Sequence, residues 1–371
     1  MIKVLNVISD TNIGGAGKCV ITYCSNYNKE KYEIVVVMPK DSLLKPEIEK
    51  TGVKIIEIDG LKDKSFDIKA IKILKKIIKE EKPDIVHTHS SLSAKIAAKS
   101  FKNIKIVYTK HCVFPPSSKY KYKIFKLAYK FVTESLSHKI IATAQKAKED
   151  LIYQGVSENK IEVILNGTTS LNILDENKKK EIRKRYNLTE EDKVIGLLAR
   201  VEEYKGHKYF IDAAKIIIDE WGSNYKFLIM GTGNYEQQAK KQVKELGIED
   251  NVIFTGFISN VEEMLNILDV QVNASYVSET TCLSLLEGMS IGLPAVATNC
   301  GGTPFVIISN ENGMLVETES GKAIADGIKN VLSDKEKYEY MKKTSIKIFN
   351  EKFTSKIYAE NIEKVYESMV N

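Results

Sequence analysis

The sequence predicts an α/β fold of two doubly wound, Rossmann-like parallel-sheet domains in tandem, and three observations carry that prediction. The chain has 371 residues, beyond the usual size of a single hydrophobic core. Short apolar runs alternate with longer stretches of helical periodicity from end to end. The alternation then restarts after a polar stretch at 175–180, Asp-Glu-Asn-Lys-Lys-Lys.

In the first series the expected strands are 3–9, 32–38, 53–58, 84–87, 104–109, 139–143 and 161–165. Several are β-branched runs without polar alternation, as strands buried on both faces of a parallel sheet are. Helical patterns lie between them, such as 67–74, where apolar residues recur every three or four positions. The second series places strands at 194–199, 226–230, 252–255, 270–274, 294–298 and 313–316, each followed by a helical pattern. The expected domains are 1–170 and 178–354, joined near 166–178. A last helix, about 355–371, follows the completed second series and is able to cap either domain. Such sheets bind ligands at the carboxyl ends of their strands, here facing a central cleft.

Composition is that of a soluble globular protein, 43% apolar and 28% charged. The net charge of +6 hides a division. Residues 1–170 hold 30 basic and 18 acidic residues, whereas 171–371 hold 25 and 31. Halves of opposite sign are expected to meet different partners. The N-terminus lacks the charged start and long apolar run of a secretory signal, and no stretch approaches the ~18 apolar residues of a membrane span. Five cysteines (Cys19, Cys24, Cys112, Cys282, Cys300) are odd in number and never spaced C-x-x-C. That argues against a disulfide framework or structural zinc and for a reducing cytoplasm.

Individual motifs are modest. Gly14-Gly15 follows a strand and opens a helix, where free amides can hold a phosphate or hydroxyl; a tight βα turn is the plain alternative. The loop is no Walker motif, because Asn12 replaces the first glycine and Cys19 the Ser/Thr. Gly231-Thr232-Gly233 is a second strand-to-helix turn. Arg200 and Lys205 follow the 194–199 strand, and Arg200 is one of only three arginines beside 52 lysines. Its planar fork suits diphosphate oxygens; a solvated surface pairing is the alternative. The strongest run is 278–289, Ser-Glu-Thr-Thr-Cys-Leu-Ser-Leu-Leu-Glu-Gly-Met. Glu279 belongs to the loop entering a helix and Glu287 lies within it. A ligand hydroxyl is one partner for such a buried carboxylate; a cap at Glu279 and a satisfied core carboxylate at Glu287 are the others.

Taken in order, Gly14-Gly15, Arg200…Lys205-Gly206, Gly231-Thr232-Gly233, Glu279-x7-Glu287, Gly292-Leu293-Pro294 and Gly301-Gly302-x-Pro304 resemble the retaining glycosyltransferases of family 4 over essentially the whole chain. The resemblance implies the two-domain GT-B architecture, with the last helix crossing back to the first, acceptor-binding domain. It implies that Arg200 and Lys205 hold the diphosphate of a nucleotide sugar in the second domain. Glu279 would contact the sugar hydroxyls, with the amides of Thr280, Thr281, Cys282 and Leu283 nearby, and Glu287 the ribose. Gly231 and Gly233 line the donor site, and Gly14-Gly15 approaches donor or acceptor. His111 matches the active-site histidine of the first domain. Thr280 stands where many relatives have glycine, Phe305 where glutamate is usual, and Thr169 near the usual aspartate.

No D-x-D occurs in the chain, and Arg200, Lys205 and helix N-termini can supply the positive field without an ion. No metal or other cofactor is therefore expected. His87 and His89 alternate on a strand end and point to one face. They lack a third metal ligand, so a structural or acceptor-site role is expected, with His89 the acceptor candidate. Residues 99–148 hold 12 lysines and one acid, Glu134. Within them Lys119, Lys123, Lys126 and Lys130 recur at helical spacing, as do Tyr122, Phe125 and Tyr129. A membrane segment touching anionic lipid is one reading; a solvated lysine face over a core stripe is the other. No nucleic-acid module accompanies the charge.

The expected function is metal-independent, retaining hexosyl transfer from a nucleoside diphosphate sugar, UDP-linked by preference. The acceptor is a saccharide, a lipid-linked or a small molecule, in cell-surface polysaccharide or glycolipid biosynthesis. The setting is the cytoplasm, with peripheral contact at the inner face of the plasma membrane. A nucleotide-sugar epimerase, a sugar phosphorylase and a non-catalytic binding subunit on the same scaffold remain the alternatives.

Overall fold

A computed structural model describes residues 1–371 apart from Cys112, Phe114, Pro115, Pro116, Ser278 and Asn371. Cys112 of the cysteine set and Ser278 of the 278–289 run thus lie outside the described residues. The chain divides into two compact units, Met1–Thr168 with Ser355–Asn371, and Thr169–Thr354.

The first unit runs β1 (Ile2–Ile8), α1 (Gly15–Asn26), β2 (Tyr32–Pro39), α2 (Lys45–Glu49), β3 (Lys54–Ile58), α3 (Ile68–Glu81), β4 (Ile85–His89), α4 (Leu92–Lys99), β5 (Lys105–Lys110), α5 (Lys123–Ser135), β6 (Lys139–Ala142), α6 (Gln145–Tyr153) and β7 (Ile161–Val163). The second runs α7 (Glu176–Arg185), β8 (Lys193–Leu198), α8 (His207–Trp221), β9 (Tyr225–Met230), α9 (Glu236–Glu245), β10 (Val252–Gly256), α10 (Val261–Leu265), β11 (Val270–Asn273), α11 (Leu283–Ser290), β12 (Ala295–Thr298), β13 (Gly313–Val316), α12 (Gly321–Leu332) and α13 (Lys335–Lys352). The last helix, α14 (Ser355–Val370), belongs to the first unit.

Both sheets are parallel. The first has the order β3-β2-β1-β4-β5-β6-β7 and the second β10-β9-β8-β11-β12-β13. In each, the chain builds outward from one central strand and then returns to build the other way. The switch points are β1/β4 and β8/β11, where open α/β sheets leave a ligand crevice at the strand carboxyl ends. All thirteen strands fall on the expected runs. The strand β2 shows why they were legible: Ile34 to Pro39 are buried without alternation.

Helix boundaries follow local chemistry. Asp67 accepts from the Ala70 amide at 2.9 Å to start α3, and Ser320 accepts from Ala323 at 3.1 Å to start α12. The second core gathers Ile195, Leu197, Phe210, Phe227, Val272 and Ile328 between sheet and helices. In the first unit, α14 buries Tyr358, Ala359, Ile362 and Tyr366 against Val4, Tyr23, Tyr32 and Val36. It is pinned there by the Asn28 amide, which donates to Glu363 Oε1 at 2.7 Å.

Candidate functional site

The second unit brings the strongest sequence motifs to one end of its sheet. Arg200 and Lys205 follow β8, Gly231–Gly233 follows β9, Glu279 follows β11, and Gly301-Gly302 follows β12. Lys205 and Glu279 meet across the β8/β11 switch point: Lys205 Nζ donates to Glu279 Oε2 at 2.5 Å. Their side chains are only 16% and 9% exposed, so this pair is shielded from solvent screening. Burial pulls the Lys205 pKa down, but the Glu279 charge outweighs it and holds the ammonium above its ordinary value. Arg200 stays exposed and donates from Nη2 to the Tyr204 hydroxyl at 2.7 Å.

The backbone around these groups is fixed by close approach. The Tyr276 amide donates to the Tyr204 carbonyl at 3.1 Å, tying the loop after β11 to the loop after β8. The Gly231–Gly233 turn is bolted to Ala199–Val201, with Val201 N–H donating to Thr232 O and Tyr235 N–H to Val201 O, both at 2.9 Å. A Cβ on Gly231 would lie 2.0 Å from the Ala199 carbonyl, and one on Gly233 2.3 Å from that of Val201. Those glycines therefore position the Arg200 segment whatever else they do. Gly301, at φ +57°, passes so near Glu279 that its Cβ would lie 2.0 Å from the Glu279 carbonyl. The Gly302 amide donates to that same carbonyl at 3.1 Å.

Glu279 sits in a loop and α11 starts only at Leu283, so the two glutamates do not share a continuous helix. Glu287 lies within α11 and is 7% exposed. Thr281 and Cys282 are buried; Thr280 and Leu283 are half-buried. Asn273 Nδ2 lies 3.0 Å from Cys282 Sγ, and burial raises that thiol to about 11, so it stays protonated at neutral pH. Cys282 is the N-cap of α11 and makes no side-chain cap bond, which leaves positive helix-end potential just beyond Glu279.

The first unit assembles a histidine chain at its own switch point. His89 Nε2 lies 3.2 Å from Asn6 Oδ1 on β1, and His89 Nδ1 lies 2.8 Å from His111 Nε2. The His87 and His89 rings are 4.4 Å apart, on one face as the strand alternation implied. His87 is spanned by Tyr366 of α14 and Thr109 of β5, each at 2.6 Å. Burial drives all three imidazoles down, His87 to about 3 and His111 to about 4, so they are neutral at pH 7. Among the described residues no group of three or more His, Cys, Asp or Glu side chains is arranged to hold a metal ion, this chain of imidazoles included.

Gly14 and Gly15 differ from the second unit's glycines. Both are exposed, and a Cβ at either would meet nothing within 4 Å. The protein itself does not require glycine there. The four described cysteines are free and buried. His207 is fully buried at the start of α8, where burial drops it to about 4. Tyr204, Asn6, Thr109 and Tyr366 were absent from the sequence-level candidates. Only Tyr204, four residues after Arg200, carried any local signal.

Of the two readings of the 119–130 segment, the core stripe is not what the structure shows. Tyr122 and Phe125 are 66% and 45% exposed, and Lys126 lies inward with Nζ 4.4 Å over the Tyr153 ring. Only Tyr129 of the three packs on the core. Lys119 and Lys123 are exposed; Lys130 is half-buried.

Comparison with known proteins matches residues 13–169 to the model described as Glycosyltransferase Family 4, and 178–348 to that described as Glycosyl transferases group 1. The N-acetyl-alpha-D-glucosaminyl L-malate synthase of Bacillus anthracis is 26% identical over 81% of this chain and 79% of its own. The Escherichia coli UDP-Gal:alpha-D-GlcNAc-diphosphoundecaprenol alpha-1,3-galactosyltransferase is 28% identical over 72% and 71%. In fold, the chain is similar to Anabaena HepE, solved in complex with UDP and glucose, with a TM-score of 0.84 over 99% of this chain and 100% of that one at 18% identity.

Proposed function

Because the chain belongs to the group 1, family 4 glycosyltransferases with a GT-B fold, we propose that it transfers a sugar, with retention, from a nucleoside diphosphate sugar to a hydroxyl acceptor. The observation that carries this reading is the Lys205–Glu279 pair across the β8/β11 switch point, with Arg200 exposed beside it.

An ammonium has three donors, and Glu279 takes one. The remaining two, with the guanidinium fork of Arg200, hold the diphosphate and neutralise it as it leaves. Glu279 orders the sugar hydroxyls, helped by the amide end of α11. Glu287 receives the ribose. In the chemical step the bond from the anomeric carbon to the β-phosphate oxygen breaks. The acceptor oxygen bonds to that carbon from the same face, and its proton passes to the leaving phosphate. Neutral His111, held by His89, presents a hydrogen-bonding ring to the sugar rather than a charge. The Gly14 amide donates to the Asn12 carbonyl at 2.9 Å, so Gly15 and the start of α1 offer their amides to donor or acceptor. These groups supply the positive field, so no metal is required.

UDP is the favoured carrier, since it is bound in the Anabaena neighbour and named for the E. coli relative. The relatives' acceptors differ, malate in one name and a lipid diphosphate in the other. A thermal-shift screen of nucleotide sugars on the full chain, followed by product analysis, tests the proposal. A donor at 100 times its Kd should stabilise by about 2.7 kcal/mol. Formation of a glycoside with the donor's anomeric configuration supports the reading. Conversion of the donor to an isomer without acceptor, phosphorolysis, or binding without turnover over a broad acceptor panel would each replace it.

A further inference from the structure

From the way α5 is mounted, we infer that it is an interfacial helix that seats the first unit on an anionic lipid bilayer. The helix is amphipathic, yet it is turned inside out relative to a globular surface helix. Its inner side carries Lys126 over Tyr153, Tyr129 on the core, and buried Thr133. Its outer side carries Ile124, Leu127 and Phe131, which are 71%, 54% and 75% exposed. With Ala128 these recur at i, i+3, i+4 and i+7, so they form one continuous apolar stripe facing solvent. Phe125 and Val132, 45% and 49% exposed, widen it on one flank. A soluble surface does not normally present such a contiguous face without something to cover it.

The charge around the stripe selects the occupant. Exposed Lys119, Lys121 and Lys123 stand at its N-terminal end. The one acid of the 99–148 segment, Glu134, has its carboxylate engaged by the Ser157 amide at 2.8 Å. An apolar stripe with flanking lysines and no opposing acid is complementary to acyl chains beneath anionic headgroups. The mounting is also rigid: α5 passes so close to the turn after α6 that a Cβ on Gly155 would lie 2.8 Å from the Lys126 carbonyl. No helix among the described residues is long and apolar enough to cross a membrane, so the contact is peripheral. Taken with the proposed transferase activity, on which this step alone rests, the surface favours a lipid-linked acceptor.

Flotation of the full chain with vesicles tests the surface. Wild type should float with vesicles containing about one third phosphatidylglycerol, detach as salt rises, and stay behind with pure phosphatidylcholine. The variant I124S/L127S/F131S alters only exposed positions and should keep its Tm while losing flotation at least ~10-fold. K119Q/K121Q/K123Q should lose about fivefold per lysine near the surface. UDP affinity, read on the same preparations, should not change in either variant, which separates this claim from the transferase reading. Absence of flotation with both vesicle types overturns the inference. So does a serine variant that sediments as a monomer where wild type is a dimer, because a second copy would then cover the stripe.

Discussion

Lys205 and Glu279 lie 74 residues apart in sequence and 2.5 Å apart in space, joined across the point where the second sheet reverses its direction of growth. The pair is mostly buried, so its two members should behave differently when removed singly and together. Lys205→Met leaves a carboxylate without its cation in a shielded place, and is expected to lower stability by about 3 kcal/mol or more. The double variant Lys205→Met/Glu279→Met should regain most of that stability, because neither charge is stranded. Turnover should not return. Denaturant unfolding beside a UDP-release assay checks both halves. Recovery of activity in the double variant would mean the pair is structural.

The glycines divide into those the fold needs and those it does not. Gly301→Ala sets a Cβ 2.0 Å from the Glu279 carbonyl at a positive φ, so it should cost more than ~1 kcal/mol and displace Glu279. Turnover should fall with it. Gly14→Ala meets nothing within 4 Å and should leave Tm unchanged. A lower kcat/KM in Gly14→Ala at constant Tm would then report a ligand passing close to that turn. Full activity there would remove Gly14 from the site.

The histidine chain makes the first unit sensitive to acid. His87 and His111 sit at about 3 and about 4 because they are buried, against about 6.5 in an unfolded chain. Between those values the unfolded chain binds more protons than the folded one, so stability rises with pH. Their contribution is complete above about pH 6.5 and is lost as pH falls toward about 4 and then about 3. His87 also ties α14 to β5 through Tyr366 and Thr109, so the loss should release the last helix. Tm measured against pH should slope less steeply in His87→Gln than in wild type. Identical slopes would show that His87 does not contribute.

Metal independence has a direct check. Turnover should be undiminished in EDTA if Arg200, Lys205 and the start of α11 supply the positive field. Strict dependence on Mn²⁺ would sink that account.

Inner strands such as β2 were legible because their residues are buried on both faces and read as unbroken apolar runs. One end was not legible: β4, expected to stop at 87, continues to His89. Its polar end defeats hydropathy and is stabilised by neighbours, His89 with Asn6 and His87 with Thr109. The orientation of α5 was not legible for a different reason. Periodicity shows which residues share a face, but not which face turns inward. That depends on what Lys126 and Tyr129 find beneath them, Tyr153 and the β6 core. Long-range pairs such as Lys205–Glu279 and His87–Tyr366 depend on strand order, which no local pattern records. Glu279 and Lys205 were nonetheless singled out, each from its own motif and the family spacing.

The central claim is that Arg200 and Lys205 hold a diphosphate at the β8/β11 switch point. Calorimetric titration of UDP into the full chain, wild type against Arg200→Ala and Lys205→Ala, tests it most directly. A charged hydrogen bond is worth about 1.5–3 kcal/mol, so each variant should bind UDP roughly 10- to 100-fold more weakly while remaining folded. Wild-type affinity in both variants would place the diphosphate elsewhere and contradict the account.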